Sequence, residues 1–409
     1  MGTPFKALKV AEDIYWVGAI DWAVREFHGY STSRGTTYNA YLVLGEKITL
    51  IDTVKSHFKD ELISRIIDVI GDLSKIDIII SNHAEMDHSG CLPDLIALAK
   101  PEKVYASPKG VEALKAHFHH DALDIIAVKE GDEARISGEG AEGGPMTVKF
   151  MQTPLLHWPD SMFSYIPERK ALFCQDAFGM HLAGGERFAE DVPDWLLEEE
   201  AGRYFANILL PFSAMIPKLF DRVEKAGMEI EIAFPDHGPI WREKFPKVVE
   251  WYKRWAAHKP TNKAVVVFDT MWESTDVMAR ALTDGLIAAG AQVKVFPLAG
   301  SHRSELATEL LDAGALIVGS PTLNTQMYPT IADALCYLKG LKRKNLVGAA
   351  FGSYGWSGEG VKHVEEALTE MGVELIGVLR TQFVPGDSTL EDCRALGVKV
   401  GERLAALKA

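Results

Sequence analysis

The feature that most constrains this 409-residue chain is a run of four ionisable side chains directly after an apolar segment. His83, Glu85, Asp87 and His88 follow residues 76–80, in which four of the five positions are isoleucine. Carboxylates are seldom buried without partners, and two imidazoles with two carboxylates suit a hard-to-borderline metal cation. Four such ligands cannot all face one way on a strand. The pattern therefore predicts a strand that ends in a loop and a helix, which together gather the ligands around a metal.

Three further candidate ligands, His157, Asp176 and His237, lie farther along the chain. Each comes just after a strand-like stretch and is followed soon by Gly or Pro, where sheet-based domains place their site loops. A lone histidine is more often a hydrogen-bonded core or surface residue than a ligand. Seven candidates in similar positions favour the metal site over that explanation.

Composition and charge exclude several classes of protein. The 43 Lys and Arg against 57 Asp and Glu leave a net charge of −14, so we expect no nucleic-acid partner, which needs a basic face. The four cysteines form no CxxC pair, which excludes a disulfide framework, a zinc ribbon and a fused rubredoxin-type centre. With no signal-peptide pattern and no apolar membrane span, we expect a cytoplasmic protein without a membrane partner.

The order of strands and helices predicts two α/β domains, over residues 1–258 and 259–409. In the first, short strands over 40–44 and 48–51 form a hairpin, and helices follow over 58–70 and 108–117. In the second, strands alternate with helices as in a parallel doubly wound sheet. Its predicted strands cover 263–268, 292–296, 315–319 and 346–351, and its first helix covers 275–289. We expect His117, His119 and His120, near a helix end, to lie on the surface.

Three loops of the second domain follow strand ends, where doubly wound sheets bind their ligands. Thr270, Ser274 and Thr275 combine hydroxyls with the N–H groups of a helix N-terminus, which favours an anion site; either Ser274 or Thr275 could instead cap the helix. Tyr354 and Trp356 can stack on a flat ring. The loops resemble those of flavodoxins, which implies FMN rather than FAD. The implied FMN contacts are Thr270, Met271, Trp272, Ser274, Thr275, Pro321, Thr322, Leu323, Asn324, Ser353, Tyr354, Gly355, Trp356 and Gly358.

The histidine and carboxylate set resembles the metallo-β-lactamase fold, whose usual motif is HxHxDH; Glu85 stands where the second histidine would be. Joined to a flavodoxin-like domain, the chain resembles the flavodiiron proteins over essentially its whole length. Residues 27–30, 35–40 and 156–162 match that family as well. The resemblance implies an N-terminal αββα sandwich and a C-terminal flavodoxin-like doubly wound parallel sheet.

The resemblance also implies two non-haem iron ions. One would be held by His83, Glu85 and His157, the other by Asp87, His88 and His237, with Asp176 bridging the two. Some family members turn the histidine equivalent to His88 away from the metal. His28 and Tyr30 would line the substrate pocket as catalytic residues, although His28 as a packed loop residue is the alternative.

The implied activity is reduction of dioxygen to water, or of nitric oxide to nitrous oxide, with electrons passed through FMN. The electron donor would be rubredoxin or a reduced soluble cofactor. A head-to-tail homodimer or tetramer would bring the FMN of one subunit to the iron of another. Two alternatives are a hydrolase of the glyoxalase II kind with a flavodoxin regulatory domain, and an electron-transfer or sensory flavoprotein with a vestigial metal site.

We predict that the purified chain carries two iron ions, because Glu85 in place of an imidazole adds negative charge and an oxygen ligand, moving the preference from zinc towards iron. Elemental analysis of the purified protein measures this. Two zinc ions per chain with no iron would contradict the assignment.

Overall fold

The computed structural model describes residues 4–120 and 123–407. The chain divides into two compact units. One takes in the described residues of Met1–Phe27, Thr32–Tyr204 and Ala214–Trp251, and the other those of His28–Ser31, Phe205–Ser213 and Tyr252–Ala409. The domain boundary between residues 258 and 259 stays a prediction.

The first unit is built on two sheets. A seven-stranded sheet has the order β1-β2-β7-β8-β9-β10-β11, and a five-stranded sheet has the order β12-β13-β14-β15-β16. The strands up to residue 235 are β1 Leu8–Ala11, β2 Ile14–Trp16, β3 Ala19–Asp21, β4 Glu26–Phe27, β5 Tyr30–Ser31, β6 Thr36–Tyr38, β7 Tyr41–Val43, β8 Thr49–Ile51, β9 Ile78–Ser81, β10 Lys103–Ala106, β11 Ile126–Ala127, β12 Glu133–Ser137, β13 Met146–Gln152, β14 Met162–Ile166, β15 Ala171–Gln175 and β16 Ile232–Pro235.

The sheets are layered because neighbouring residues of a strand point to opposite faces. On β7, Tyr41 and Val43 enter a core shared with Phe173 of the five-stranded sheet. Leu42 points the other way, into a second core with Leu62 of the first helix. Central strands of the larger sheet are therefore buried on both faces, which accounts for their continuous apolar runs.

Seven α-helices begin before residue 250 in the described chain: α1 Lys59–Ile70, α2 Met86–Ser89, α3 Leu92–Ala99, α4 Pro108–Phe118, α5 Asp194–Tyr204, α6 Met215–Lys225 and α7 Phe245–Ala256. The start of α4 has a plain local cause. The Ser107 hydroxyl accepts a hydrogen bond from the Gly110 N–H at 2.9 Å, and Pro108 occupies the first helical turn.

The local predictions for this unit are largely confirmed. β7 pairs antiparallel with β8 as the predicted hairpin, and α1 and α4 cover the two predicted helices to within a residue. His119 and His120 are exposed, as expected. The surface prediction is wrong for His117, which is half-buried because the Trp158 ring, from a distant loop, lies 6.1 Å from its own ring.

The second unit contains a five-stranded parallel sheet in the order β18-β17-β19-β22-β23. The prediction of a doubly wound sheet is confirmed. Its strands and those of a small ribbon are β17 Lys263–Phe268, β18 Gln292–Pro297, β19 Ala315–Gly319, β20 Thr322–Leu323, β21 Gln326–Met327, β22 Val347–Tyr354 and β23 Glu374–Gln382. Its helices are α8 Ser274–Ala288, α9 Arg303–Leu310, α10 Pro329–Leu341, α11 Glu359–Glu370 and α12 Asp387–Ala406. In the described part of the chain, no helix has the length and apolar character of a membrane span.

Sequence reasoning did not identify β23, the edge strand of this sheet. Residues 375–379 of this strand are apolar, so the sequence carried a signal that was not recognised, although every residue of the strand is half-buried or exposed in the structure. Partial exposure is expected of a strand at a sheet edge, since it has a neighbour on one side only.

Helices α8 and α12 pack closely through glycines. A Cβ atom on Gly285 would lie 2.1 Å from the Arg394 carbonyl oxygen, and one on Gly397 would lie 2.1 Å from the Leu282 carbonyl oxygen. Both obstacles are backbone atoms and cannot turn aside. The close contact of these helices therefore requires residues without side chains.

We predict that Gly285→Ala lowers the free energy of unfolding of the second unit by about 1–3 kcal/mol, the usual cost of overpacking. Gly340→Ala is the matched control, because Gly340 lies in α10 with nothing within 4 Å of a new Cβ atom. The control should unfold at the wild-type urea concentration or slightly above it, since alanine is the better helix former. Equal urea midpoints for the two variants, followed by circular dichroism, would contradict the packing argument.

Candidate functional site

The end of β9 delivers the ligand-rich segment into the interior of the first unit. β9 is followed by an extended loop, and α2 begins at Met86. His83, Glu85, Asp87 and His88 are all buried. The strand, loop and helix predicted from the sequence are thus present, and they turn four ionisable side chains inward.

His83, Glu85, His157 and Asp176 form one group of possible metal ligands. One ligand atom from each lies within 4.8 Å of all the others. His157 Nε2 is 3.1 Å from Glu85 Oε2 and 3.1 Å from Asp176 Oδ2. His83 Nε2 is 3.2 Å from Glu85 Oε2. Three loops that are remote in sequence therefore meet at one point.

Asp87, His88 and His237 form a second group with the same spacing. The Nε2 atoms of His237 and His88 lie 3.1 Å and 3.2 Å from Asp87 Oδ2. His88 is therefore turned towards the other members of its group, and its ring lies 4.7 Å from that of His237.

The Asp176 carboxylate lies between the two groups. Its Oδ2 atom faces the first group, 3.3 Å from His83 Nε2. Its Oδ1 atom faces the second, 3.1 Å from His88 Nε2 and 3.5 Å from His237 Nε2. A single carboxylate with one oxygen towards each group has the arrangement of a bridging ligand.

The buried donors fit a pair of cations. Both oxygens of Asp87 and Oδ1 of Asp176 are inaccessible to solvent and accept no well-aligned hydrogen bond among the described residues, although imidazole nitrogens lie 3.1 Å from Asp87 Oδ2 and from Asp176 Oδ1. A buried carboxylate that faces ring nitrogens without a well-aligned hydrogen bond is well placed to bind a cation together with them. Imidazole nitrogen with carboxylate oxygen is a donor set that suits iron.

The outer nitrogens of two of the four imidazoles, those of His83 and His237, are held by other groups. His83 Nδ1 is 3.0 Å from Asp160 Oδ2, and His237 Nδ1 donates to the Thr37 carbonyl at 2.6 Å. Such contacts fix each ring so that its Nε2 atom points at the shared centre. They also favour the proton on Nδ1, which leaves Nε2 as the donor to a metal.

In the metal-free protein, protonated imidazoles balance the negative charge of the buried carboxylates. Burial by itself would lower the pKa of His83, but hydrogen bonds to Asp160 and Glu85 raise that pKa well above its usual range. Burial likewise opposes the charged form of His88, whose pKa is raised well above the usual value by Asp87 and Asp176. Burial would raise the pKa of Asp176, but charged His88 and a hydrogen bond to His157 hold it well below its usual range.

Sequence reasoning missed several polar residues around this centre. His181 is buried, with Nδ1 2.7 Å from the Thr36 hydroxyl and its ring 4.5 Å from that of His237. Asp52 accepts hydrogen bonds from the Asn82 backbone and side chain, and its burial raises its pKa to about 6. His181 carried a usable signal, since it follows Asp176 and Gly179 on the same loop, whereas Asp52 carried none.

His28 and Tyr30, the predicted catalytic residues, belong to the second unit. His28 is exposed, with a left-handed backbone (φ +52°), and Tyr30 is buried on β5. Their catalytic role stays a prediction.

The predicted flavin loops surround a cavity of about 570 Å³ in the second unit. Every predicted FMN contact lines it except Thr275 and Gly358. Thr275 is buried in the first turn of α8, and Gly358 packs against the Tyr354 ring. Lining residues that the sequence did not indicate are Thr325, Ser357, Phe383 and Val384. The last two follow β23, so they were missed together with that strand.

The start of α8 shows whether Ser274 or Thr275 caps this helix, the alternative to an anion site. Its N-cap residue is Glu273, in a left-handed conformation (φ +62°), and the Glu273 side chain makes no capping hydrogen bond. The Thr275 hydroxyl is buried and has no partner among the described residues. Neither Ser274 nor Thr275 caps this helix, which leaves its N-terminus to an anion.

Both units of the chain match known protein families. The model of the "ODP family beta lactamase" matches residues 36–238, and that of flavodoxin matches residues 266–397. A nitric oxide reductase of Moorella thermoacetica is 43% identical over 97% of this chain and 98% of its own length. The chain is also similar to the solved structure of rubredoxin oxygen:oxidoreductase from Desulfovibrio gigas, with a TM-score of 0.95, 40% identity and coverage of 99% and 100% of the two chains. The flavodiiron protein of Giardia intestinalis has a TM-score of 0.93 and 33% identity, over 100% of this chain and 98% of that one.

The chain belongs to the flavodiiron protein family. The metallo-β-lactamase-like and flavodoxin-like folds predicted from the sequence are both confirmed. The cofactors of a flavodiiron protein are FMN and a diiron centre, and they fit the cavity of the second unit and the paired ligand groups of the first.

We predict that the metal-free protein binds Fe(II) more tightly as the pH rises. The raised pKa values of His83, His88 and His157 keep these imidazoles protonated above their usual range, and a metal needs them neutral. Affinity should increase by up to about tenfold per pH unit for each proton released. Chelator competition between about pH 6 and pH 8, around the ordinary histidine pKa, measures this effect.

The control for this titration is His120→Gln, which removes an exposed imidazole and should leave the pH dependence unchanged. An Fe(II) affinity that is constant across the range, with no proton release, would contradict the assignment of charged imidazoles to the metal-free protein.

Proposed function

We propose that this chain is an oxidoreductase that reduces dioxygen to water, or nitric oxide to nitrous oxide, at a diiron centre supplied with electrons through FMN. The observation that carries the proposal is the pair of buried ligand groups that share Asp176. Residues that hold two metals side by side would give a diatomic gas, or two such molecules, adjacent binding positions.

The proposed ligands are His83, Glu85 and His157 for one iron, Asp87, His88 and His237 for the other, and Asp176 for both. Their burial supports the proposal, because a centre that handles reduced oxygen needs bulk water excluded. When bound, the two irons supply electrons and electrophilic positions for the gas, and the reduced flavin supplies further electrons.

The chain's own residues would hold and tune this centre. Asp160 and the Thr37 carbonyl would orient His83 and His237 towards the metals. The carboxylates of Glu85, Asp87 and Asp176 would offset the positive charge of two ferrous ions. In the second unit, the hydroxyls and N–H groups at the start of α8 would bind the FMN phosphate, and Tyr354 and Trp356 would flank the flavin ring.

The names of the relatives support dioxygen and nitric oxide as substrates and a rubredoxin as electron donor. One relative is named nitric oxide reductase and another rubredoxin oxygen:oxidoreductase. We propose both gases as substrates and a rubredoxin-type protein as electron donor, with a reduced soluble cofactor as the other source. We also propose a head-to-tail homodimer or tetramer in the cytoplasm. The hydrolase alternative is not favoured by the relatives, and the sensory alternative is not favoured by a complete ligand set.

We predict that Asp176→Ala abolishes the consumption of nitric oxide and the reduction of dioxygen to water, because it removes the one carboxylate shared by the two groups. Rapid-mixing spectroscopy of the reduced protein with dioxygen or nitric oxide measures the loss. The matched control is Asp94→Ala, which removes a surface carboxylate paired with Lys59 and should leave both reactions at the wild-type rate. Wild-type gas consumption by the Asp176 variant would contradict the proposed function.

A further inference from the structure

Gln175, the last residue of β15, lies immediately before Asp176 and is completely buried. Its side-chain amide is not among the candidate metal ligands. It nevertheless makes two short hydrogen bonds next to them. The Nε2 atom donates to the Leu156 carbonyl oxygen at 2.5 Å, and the Oε1 atom accepts from the Asp176 N–H at 2.6 Å.

These two bonds join two loops that carry ligands. The Leu156 carbonyl belongs to the peptide bond that leads into His157, and the Asp176 N–H is the backbone of the bridging carboxylate. An amide side chain can donate to a carbonyl and accept from an N–H group with the same planar end, without a change of protonation. A glutamine of this reach therefore fixes the distance between the backbone of one ligand and that of another.

A third loop is attached to the same residue through its backbone. The Gln175 carbonyl oxygen accepts a hydrogen bond from the Asp236 N–H at 2.9 Å, one residue before His237. Gln175 is thus bonded next to His157, Asp176 and His237. These three ligands are the ones that the β9–α2 segment does not carry.

The backbone at Gln175 departs from a regular strand. Its φ of +43° lies in the left-handed region, which a residue with a side chain seldom adopts. The pairing of β15 with β16 is also irregular between Phe173 and Gln175. Such an irregularity re-aims a side chain at the end of a strand, and strained backbone persists where the surroundings hold it in place.

We propose that Gln175 is a positioning residue, which fixes the spacing of His157, Asp176 and His237 and thereby sets how tightly and in what geometry iron is held. The inference rests on the metal centre of the proposed function. Contacts of this kind around metal ligands typically change metal affinity by about 10–100-fold when they are removed.

The test compares Gln175→Met, which removes both side-chain hydrogen bonds at nearly constant shape, with Gln175→Glu, which keeps an acceptor for the Asp176 N–H but no longer donates to Leu156. Gln152→Met and Gln152→Glu are the matched controls. The Gln152 amide, half-buried at the end of β13, also donates to a backbone carbonyl, that of Val128 at 3.2 Å, and it contacts Met162 Sδ at 3.9 Å; neither Val128 nor Met162 is a candidate ligand.

Each full-length variant is prepared metal-free and titrated with Fe(II) against a chelator, and its thermal unfolding is recorded before iron is added. We expect Fe(II) to bind about 10–100-fold more weakly to Gln175→Met than to the Gln152 controls, with a smaller loss for Gln175→Glu. Mössbauer spectra of samples loaded with ⁵⁷Fe should show altered quadrupole splitting for the Gln175 variants only. If the Met variant does not fold, the Glu variant decides the test.

Two results would overturn the positioning role. One is an Fe(II) affinity and Mössbauer spectrum of the Gln175 variants equal to those of the Gln152 controls. The other is a lowered unfolding temperature of the metal-free Gln175 variants with unchanged iron binding, which would make Gln175 a purely structural residue. If the wild-type chain itself bound no iron, the metal centre of the proposed function would fail, and that result is separate from either of these.

Discussion

The buried carboxylate of Asp176, with imidazoles on both of its sides, is the interaction on which the rest of the first unit depends. It lies at the end of β15 with Oδ2 towards His83 and Oδ1 towards His88. A carboxylate so far from solvent is tolerated only when opposite charge surrounds it. The histidines, or a pair of metal cations, supply that charge. The loops that carry them are therefore held to one small volume.

The two-sheet arrangement makes this convergence possible. β9 ends on the larger sheet, whereas β13, β15 and β16 end on the smaller one, and the candidate ligands follow these ends. The rigid strands, buried on both faces in the case of β9, fix where each loop starts. Contacts with Asp160 and the Thr37 carbonyl then orient the rings of His83 and His237, and the bond of Gln175 to the Leu156 carbonyl joins the loops of His157 and Asp176. The strands determine the approximate positions of the ligands, and the hydrogen bonds determine their final geometry.

The sequence predicted what is local in the chain and missed what is remote. The ligands could be found because ionisable residues after apolar strands are rare, and the parallel sheet because its strands are continuous apolar runs. Asp52 accepts a hydrogen bond from Asn82, which lies 30 residues away in the sequence. Asp160 contacts His83 from a distance of 77 residues, and no rule of sequence spacing connects such pairs. Phe383 could not be placed at the flavin cavity while β23 was unrecognised, although residues 375–379 of that strand are apolar. His117 was misjudged for a related reason, because Trp158 covers it from another loop.

The central claim is that paired metals and a flavin together complete a four-electron reduction within one protein. The most direct test is to reduce the protein fully, mix it with limiting dioxygen without any external donor, and measure dioxygen consumed and hydrogen peroxide formed. We expect water as the product, with no appreciable peroxide and with reoxidation of both flavin and iron. Stoichiometric peroxide with iron that stays reduced would contradict it, because the flavin alone would then be reacting with the gas.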